Sequence, residues 1–164
     1  MLDRPTQKIA VILLREVVED SRWESYRWKV LGAVPDVGGE SRTIHEDRAT
    51  LHRLYPGLDL TLFRDEAEGY FLNVSSEAPS VFVAVRTDEA TGEPYAFQAT
   101  ISYNEAARWL DGGEKIERVP AWPELIAWMG QWVEDNYRPD TKKRRKPRSF
   151  EGKEGHFRKE GSSS

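Results

Sequence analysis

The sequence predicts an α+β fold: an antiparallel meander of about six strands, as a sheet or a half-barrel, followed by a short and a longer C-terminal helix. Three observations carry this. Apolar and polar residues alternate through much of the first hundred positions, the links between alternating runs are short and turn-rich, and the period becomes helical at Ser102. Alternation marks half-buried strands, and links this short join hairpins rather than helical crossovers.

The first strand is read over residues 9–18, and the second from Tyr26, Trp28 and Val30 alternating with Arg27 and Lys29. Residues 35–55 hold Gly38-Gly39 and many charges without a sustained period, which predicts a long loop, with a short helical turn over residues 49–54. Four runs follow, each showing one face of a strand: Leu58, Leu60 and Leu62; Tyr70, Leu72 and Val74; Val81, Val83 and Val85; Tyr95, Phe97, Ala99 and Ile101. Residues 65–69, 75–80 and 88–94 are the links between them.

Ser102-Tyr103-Asn104-Glu105 has the Ser-x-x-Glu spacing of a capping box, so a short helix starts there. Ala106, Ala107, Trp109 and Leu110 give it an apolar stripe, and Gly112-Gly113 stops it. Pro123 suits the first position of a second helix, and Glu124 suits its positive end. Leu125, Ile126, Met129, Trp132, Val133 and Tyr137 carry its stripe, and Arg138-Pro139 ends it.

These elements make one domain over residues 8–138, large enough to bury a core without disulfide or metal. A tail over residues 139–164 is too polar to fold alone and is predicted to be disordered. Charge divides at the same boundary. Residues 1–138 carry 15 Lys and Arg against 24 Asp and Glu, net −9, while residues 139–164 carry 9 against 4, net +5. With no cysteine in the chain, disulfides, thiolate metal sites and a cysteine nucleophile are excluded. The apolar run at residues 9–14 is short for a secretion signal and no run nears the ~20 residues needed to span a bilayer, so the cytoplasm is the expected location.

Chemistry-bearing motifs are weak. His45-Glu46-Asp47 with His52 is the nearest approach to a metal cluster, but on a loop without preformed geometry these read as ordinary surface histidines. Asp65, Glu66 and Glu68 crowd the turn at residues 65–69, where paired carboxylates serve acid–base chemistry only if desolvated; a solvated turn is the plainer reading. Gly38-Gly39-Glu40 lacks the Lys-Ser/Thr of a phosphate loop. No catalytic residue, cofactor or metal ligand is assigned.

Six tryptophans are more informative. Most belong to the core, but the last helix region carries enough that Trp122 and Trp128 are candidates for a partner surface. Lys142, Lys143, Arg144, Arg145, Lys146 and Arg148 are the other candidate contacts, for an acidic protein partner, for an anionic membrane surface, or for nucleic acid with Phe150 and Phe157 stacking. A merely solubilising tail fits the same composition.

Three segments together resemble a known family: Arg22-Trp23 with Trp28; residues 64–70 (Arg-Asp-Glu-Ala-Glu-Gly-Tyr) through Asn73; and residues 102–110 (Ser-Tyr-Asn-Glu-Ala-Ala-Arg-Trp-Leu). They are similar to an uncharacterised family of proteobacterial domains of unknown function, commonly encoded beside molybdenum-dependent formate dehydrogenase. The likeness covers residues 9–138 and brings no catalytic residues with it. It implies an accessory role in maturing or regulating that enzyme, with a formate dehydrogenase subunit or one of its maturation factors as partner. A nucleotidyltransferase label sometimes given to members does not suit this chain. Leu14 is followed by Arg15-Glu16-Val17-Val18, not a glycine-rich phosphate loop, and no parallel βαβ alternation follows. The leading expectation is therefore a non-enzymatic accessory protein acting by protein–protein binding. Nucleic-acid binding through the tail and a small-ligand domain using a cavity between sheet and helices are the alternatives.

Overall fold

Two long alternating runs build the first hairpin: β1 (Thr6–Asp20) and β2 (Trp23–Pro35) pair antiparallel from Ile9↔Pro35 to Asp20↔Trp23. The computed structural model describes residues 4–20 and 23–139. β3 (Arg42–Glu46) and β4 (Thr50–Thr61) follow, and β4 lies along the other side of β1, giving a sheet ordered β2-β1-β4-β3. Residues 35–55 are thus not one long loop, and within residues 49–54, expected as a helical turn, residues 50–54 are strand and Ala49 is a bend. All five residues of β3 are exposed, so this edge strand has no buried face to create a period. In β4, Leu51 and Leu54 are both buried at a spacing of three because they pair with Arg15 and Ile12 respectively and so face opposite sides of the sheet.

The run at Tyr70, Leu72 and Val74 is helical rather than a strand. A 3₁₀ turn (Arg64–Glu66) leads into α1 (Ala67–Val74), whose buried residues Ala67, Tyr70 and Asn73 lie three apart, with Gly69 buried beside them. The link at residues 65–69 is therefore a helix entry and not a hairpin turn.

β5 (Ser80–Thr87) and β6 (Pro94–Thr100) form the next hairpin. α2 (Tyr103–Asp111) follows, then β7 (Lys115–Pro120) and α3 (Pro123–Asn136). β7 returns to pair with β5, so a second antiparallel sheet is ordered β6-β5-β7. The described residues hold seven strands in two sheets instead of about six in one meander, and the α+β class stands.

Both helix starts agree with their sequence signals. Ser102 Oγ accepts from Glu105 N–H at 3.0 Å, as a capping box requires. The Glu105 carboxylate turns elsewhere, accepting the Thr100 hydroxyl at 2.6 Å while Thr100 Oγ1 accepts Ser102 N–H. Gly113, at φ 100, takes the left-handed turn after α2, and Pro123 opens α3.

The sheets face each other across one core. Ile9, Val11, Leu13, Val30 and Leu60 from the larger sheet meet Val81, Val83 and Val85 from β5, with Tyr70, Leu125 and Met129 of α1 and α3 in the same cluster. β5 is buried on both faces, because Phe82 turns the other way to meet Tyr103, Ala106 and Ala107 of α2. The long seams between sheets are closed by side chains. Glu117 of β7 accepts Val30 N–H of β2 at 2.9 Å. On the other side Arg53 of β4 pairs with Glu93 at 2.9 Å, and the Tyr55 hydroxyl donates to the Pro94 carbonyl at 3.3 Å.

Asn73, fully buried, donates to the carbonyls of Ser80 and Ile101 at 2.8 and 2.9 Å and accepts Ser80 N–H at 2.9 Å. Asn73→Ala leaves these groups unpaired away from water, each worth about 1–3 kcal/mol. Urea unfolding of the variant should show a loss of more than about 3 kcal/mol with an unchanged denaturant slope.

Candidate functional site

Two of the segments that mark the family resemblance pack on each other. Glu66, at the end of the 3₁₀ turn, accepts the Ser102 hydroxyl at 2.7 Å on one carboxylate oxygen and the Arg108 guanidinium on the other. Its side chain is only 11 % exposed, so it does not sit in a wet hairpin turn. Gly69 closes the contact: a Cβ there would lie 2.1 Å from Ser102 Oγ and 3.1 Å from Asn104 N. Asn104 Nδ2 reaches Glu68 at 3.5 Å, while Asp65 is exposed.

Chemically this junction resembles a serine beside a carboxylate, but its hydrogen bonds are spent on structure. Ser102 is fully buried, its hydroxyl proton goes to Glu66, and the same oxygen caps α2. A nucleophile needs a base that takes its proton during reaction and an approach for substrate. Here the proton donor is also the helix cap, so the group acts as a brace between α1 and α2. Burial also pushes the Tyr70 phenol upward; its hydroxyl donates to Thr61 O and accepts Phe63 N–H, pinning the exit of β4.

The third resemblance segment reaches a different place. Trp28 of β2 packs at the rim of the core, with the Arg53 guanidinium 5.4 Å and the Arg15 guanidinium 5.9 Å from its ring. Arg15 also lies 4.2 Å from the Tyr26 ring. Guanidinium and aromatic groups thus alternate where the larger sheet runs past the smaller one. Arg15 and Arg53 were not singled out from sequence, since only the registers Arg15↔Trp28 and Arg15↔Leu51 bring them to this face. Arg22 lies outside the described residues.

Trp122 and Trp128 are half-buried and pack against the main core, as does Trp132, which meets Tyr70 edge-on at 5.3 Å. Lys142, Lys143, Arg144, Arg145, Lys146 and Arg148 lie outside the described residues, as do Phe150 and Phe157 and the rest of residues 140–164.

His45 and His52 are cross-strand partners of β3 and β4, not loop residues, with ring centroids 4.8 Å apart. Among the described residues no group of three His, Asp or Glu side chains is placed to hold a metal ion. Asp47 instead builds the β3–β4 turn, accepting the N–H groups of Thr50 and Ala49 and pairing with His45. Gly38 and Gly39, at φ 78 and 85, turn the preceding link, where Arg42 donates to the Gly38 carbonyl.

The space between the sheets and α1 and α3 is filled by Tyr70, Leu125 and Met129. An open cleft of about 800 Å³ lies elsewhere, between Arg53 and Tyr55 of β4 and the β5–β6 turn. Three of its charged side chains are paired, Arg53 with Glu93, Arg86 with Glu114, and Asp88 with Ala90 N–H. Among the described residues no helix is long and apolar enough to cross a membrane.

Fold and junction together define a small α+β domain in which two antiparallel sheets enclose one core and a buried polar brace ties the first helix to the second. The model of a protein family of unknown function, DUF3305, matches residues 8–146, and the chain belongs to that family. No curated protein and no solved structure matches it. The match passes the expected end at Arg138 and takes in Lys142 to Lys146, so five of the basic residues lie inside the family domain.

Two measurements check this geometry. Gly69→Ala should destabilise by about 1–3 kcal/mol through overpacking, and by clearly less in a Ser102→Ala background where the clashing oxygen is gone. The Asp47 carboxyl is held at about 2 by Thr50 N–H, then His45, then Ala49 N–H. A depressed folded pKa adds stability above the unfolded value near 4 and loses it as pH falls through about 2. A carboxyl ¹³C titration should place the Asp47 midpoint there, with loosening of the β3–β4 turn confined to that window.

Proposed function

We propose that this chain is a non-enzymatic accessory protein that binds a protein partner, with the folded body supplying recognition and the basic run adding electrostatic attraction. One observation carries the reading: where the exposed apolar surface lies. Tyr26, Leu31, Val37 and Ile44, the large hydrophobic residues left exposed among the described ones, all fall within residues 26–44, on the two edge strands of the larger sheet and the link between them. β2 and β3 are opposite edges of that sheet, so these are separate exposed positions and not one patch, and exposed apolar side chains on unpaired strand edges favour docking of a partner at an edge. Half-buried Trp122 and Trp128 support a second contact patch of the residue type enriched in binding hot spots. The family match through Lys146 supports treating Lys142, Lys143, Arg144, Arg145 and Lys146 as part of the binding unit.

The partner follows from the resemblance alone: a subunit of a molybdenum-dependent formate dehydrogenase or one of its maturation factors, met in the cytoplasm, with no cofactor held by this chain. Affinity purification of tagged full-length protein from cells expressing that enzyme should recover one of these, and recovery of neither overturns the reading. Removing residues 140–164 should weaken capture several-fold at low salt and much less above about 0.5 M, where exposed charges are screened within a few ångströms. Co-purified nucleic acid, released with a log–log salt slope of about −0.9 per phosphate contact, would favour the tail as a nucleic-acid binder instead.

A further inference from the structure

β2 is the terminal strand of the larger sheet, and its backbone parity shows which groups face outward. Val30 N–H leaves the sheet to meet Glu117 of β7, and Val17 N–H turns to Ala49 beyond β4, away from its β2 partner Tyr26. Both bonds mark Leu13↔Val30 and Val17↔Tyr26 as pairs that do not exchange backbone hydrogen bonds, and Arg15↔Trp28 lies between them in the same phase. The N–H and C=O groups of Tyr26 and Trp28 therefore point out of the edge. Glu117 closes the edge at Val30, and no described strand pairs with it at Tyr26 or Trp28.

Charge at this edge is opposite to that of the body. β2 carries Arg27 and Lys29 against the single Glu24, net +1, in a body of net −9. Arg27 and Lys29 are exposed on one face, with Glu16 of β1 the neighbouring carboxylate at 3.5 Å from Arg27; Arg15 lies beside Tyr26 on the other face. Tyr26 is 50 % exposed. A second copy of β2 paired antiparallel would set cations against cations, which disfavours self-association.

We propose that the outer edge of β2 docks an extended, acidic segment of a partner protein, added as a further strand beside Tyr26 and Trp28. Main-chain bonds to Tyr26 and Trp28 hold the segment. Its alternate acidic side chains meet Arg27 and Lys29 on one face, while the intervening ones pack on Tyr26 and the Arg15 guanidinium. The inference rests on the reading of the chain as a protein-binding accessory and names the surface and the chemistry it would use.

Two capped peptides test it on ¹⁵N-labelled full-length protein, Glu-Val-Glu-Val-Glu-Val and Lys-Val-Lys-Val-Lys-Val, each at millimolar concentration. The acidic peptide should slow amide exchange at Tyr26 and Trp28 several-fold and the lysine peptide should not. Arg27→Glu with Lys29→Glu should weaken the effect at least tenfold while leaving the circular dichroism and Tm unchanged. No protection at these amides, equal response to both peptides, or protection confined to β3 overturns the proposal. The same double variant separates it from the broader reading. Undiminished capture of the partner keeps the accessory role and overturns this edge, whereas peptide binding by a wild-type protein that captures no partner supports the edge and overturns the role.

Discussion

The buried carboxamide of Asn73 is the constraint on which the arrangement of helices depends. It joins α1 to the start of β5 through Ser80 and to the β6–α2 junction through Ile101, and its nitrogen lies 3.8 Å from Met129 Sδ of α3. Both of its donors and its acceptor are used, which lets a polar group sit at zero exposure in an apolar setting. With α1 fixed at its C-terminal end, the N-terminal end is carried to α2. There Gly69 permits the approach and Glu66 takes both Ser102 and Arg108. A leucine of similar size would supply more apolar burial, but it would orphan a strand-entry N–H and two carbonyls.

That same polar residue explains why part of the fold was hidden in the sequence. Alternation of Tyr70, Leu72 and Val74 suggests a strand because only apolar residues are counted as buried. The buried set is Ala67, Gly69, Tyr70 and Asn73, of which one member is an amide and another has no side chain. Gly69, unfavourable in a helix interior by about 1 kcal/mol, weakens the helical signal further, yet the helix contact requires it. β7 escaped for a related reason. Val119 is its one buried residue, and Lys115, Glu117 and Arg118 give it the look of a linker. Elements whose burial is apolar and regular, such as β1, β5, α2 and α3, were legible, caps included.

The candidate surfaces were less legible than the fold because they depend on register. Nothing local in Arg15 announces that it will lie beside Tyr26 and Trp28, which are eleven and thirteen positions away and come into place through the β1–β2 pairing. Trp122 and Trp128 were visible as an excess of aromatic residues on one helix, and their half burial fits that reading without deciding what touches them. The two sheets also close on each other through Glu117, Arg53 and Tyr55 and not through a continuous ladder. β2 therefore keeps an edge that a fully closed barrel would have abolished.

Net charge is a poor guide to what such an edge attracts. Residues 62–79 and 101–138, which hold the helices and β7, carry eleven carboxylates and five cationic side chains, net −6 of the body's −9. The larger sheet and the β5–β6 hairpin are close to balanced, and within β2 the sign reverses at Arg27 and Lys29. At physiological salt a charge is felt over about 8 Å, so a strand seated on β2 responds to Arg15, Arg27, Lys29 and Glu16, and to the Glu117 carboxylate at Val30, and little to carboxylates farther away. An acidic segment of the kind proposed would be repelled on approaching the helices and attracted on approaching Arg27 and Lys29 of β2, which would favour one orientation of encounter over the others. On the proposal that β2 docks an acidic strand, the acidity of the body and the cationic residues of β2 are compatible, the first discouraging misplaced contacts and the second favouring the proposed one.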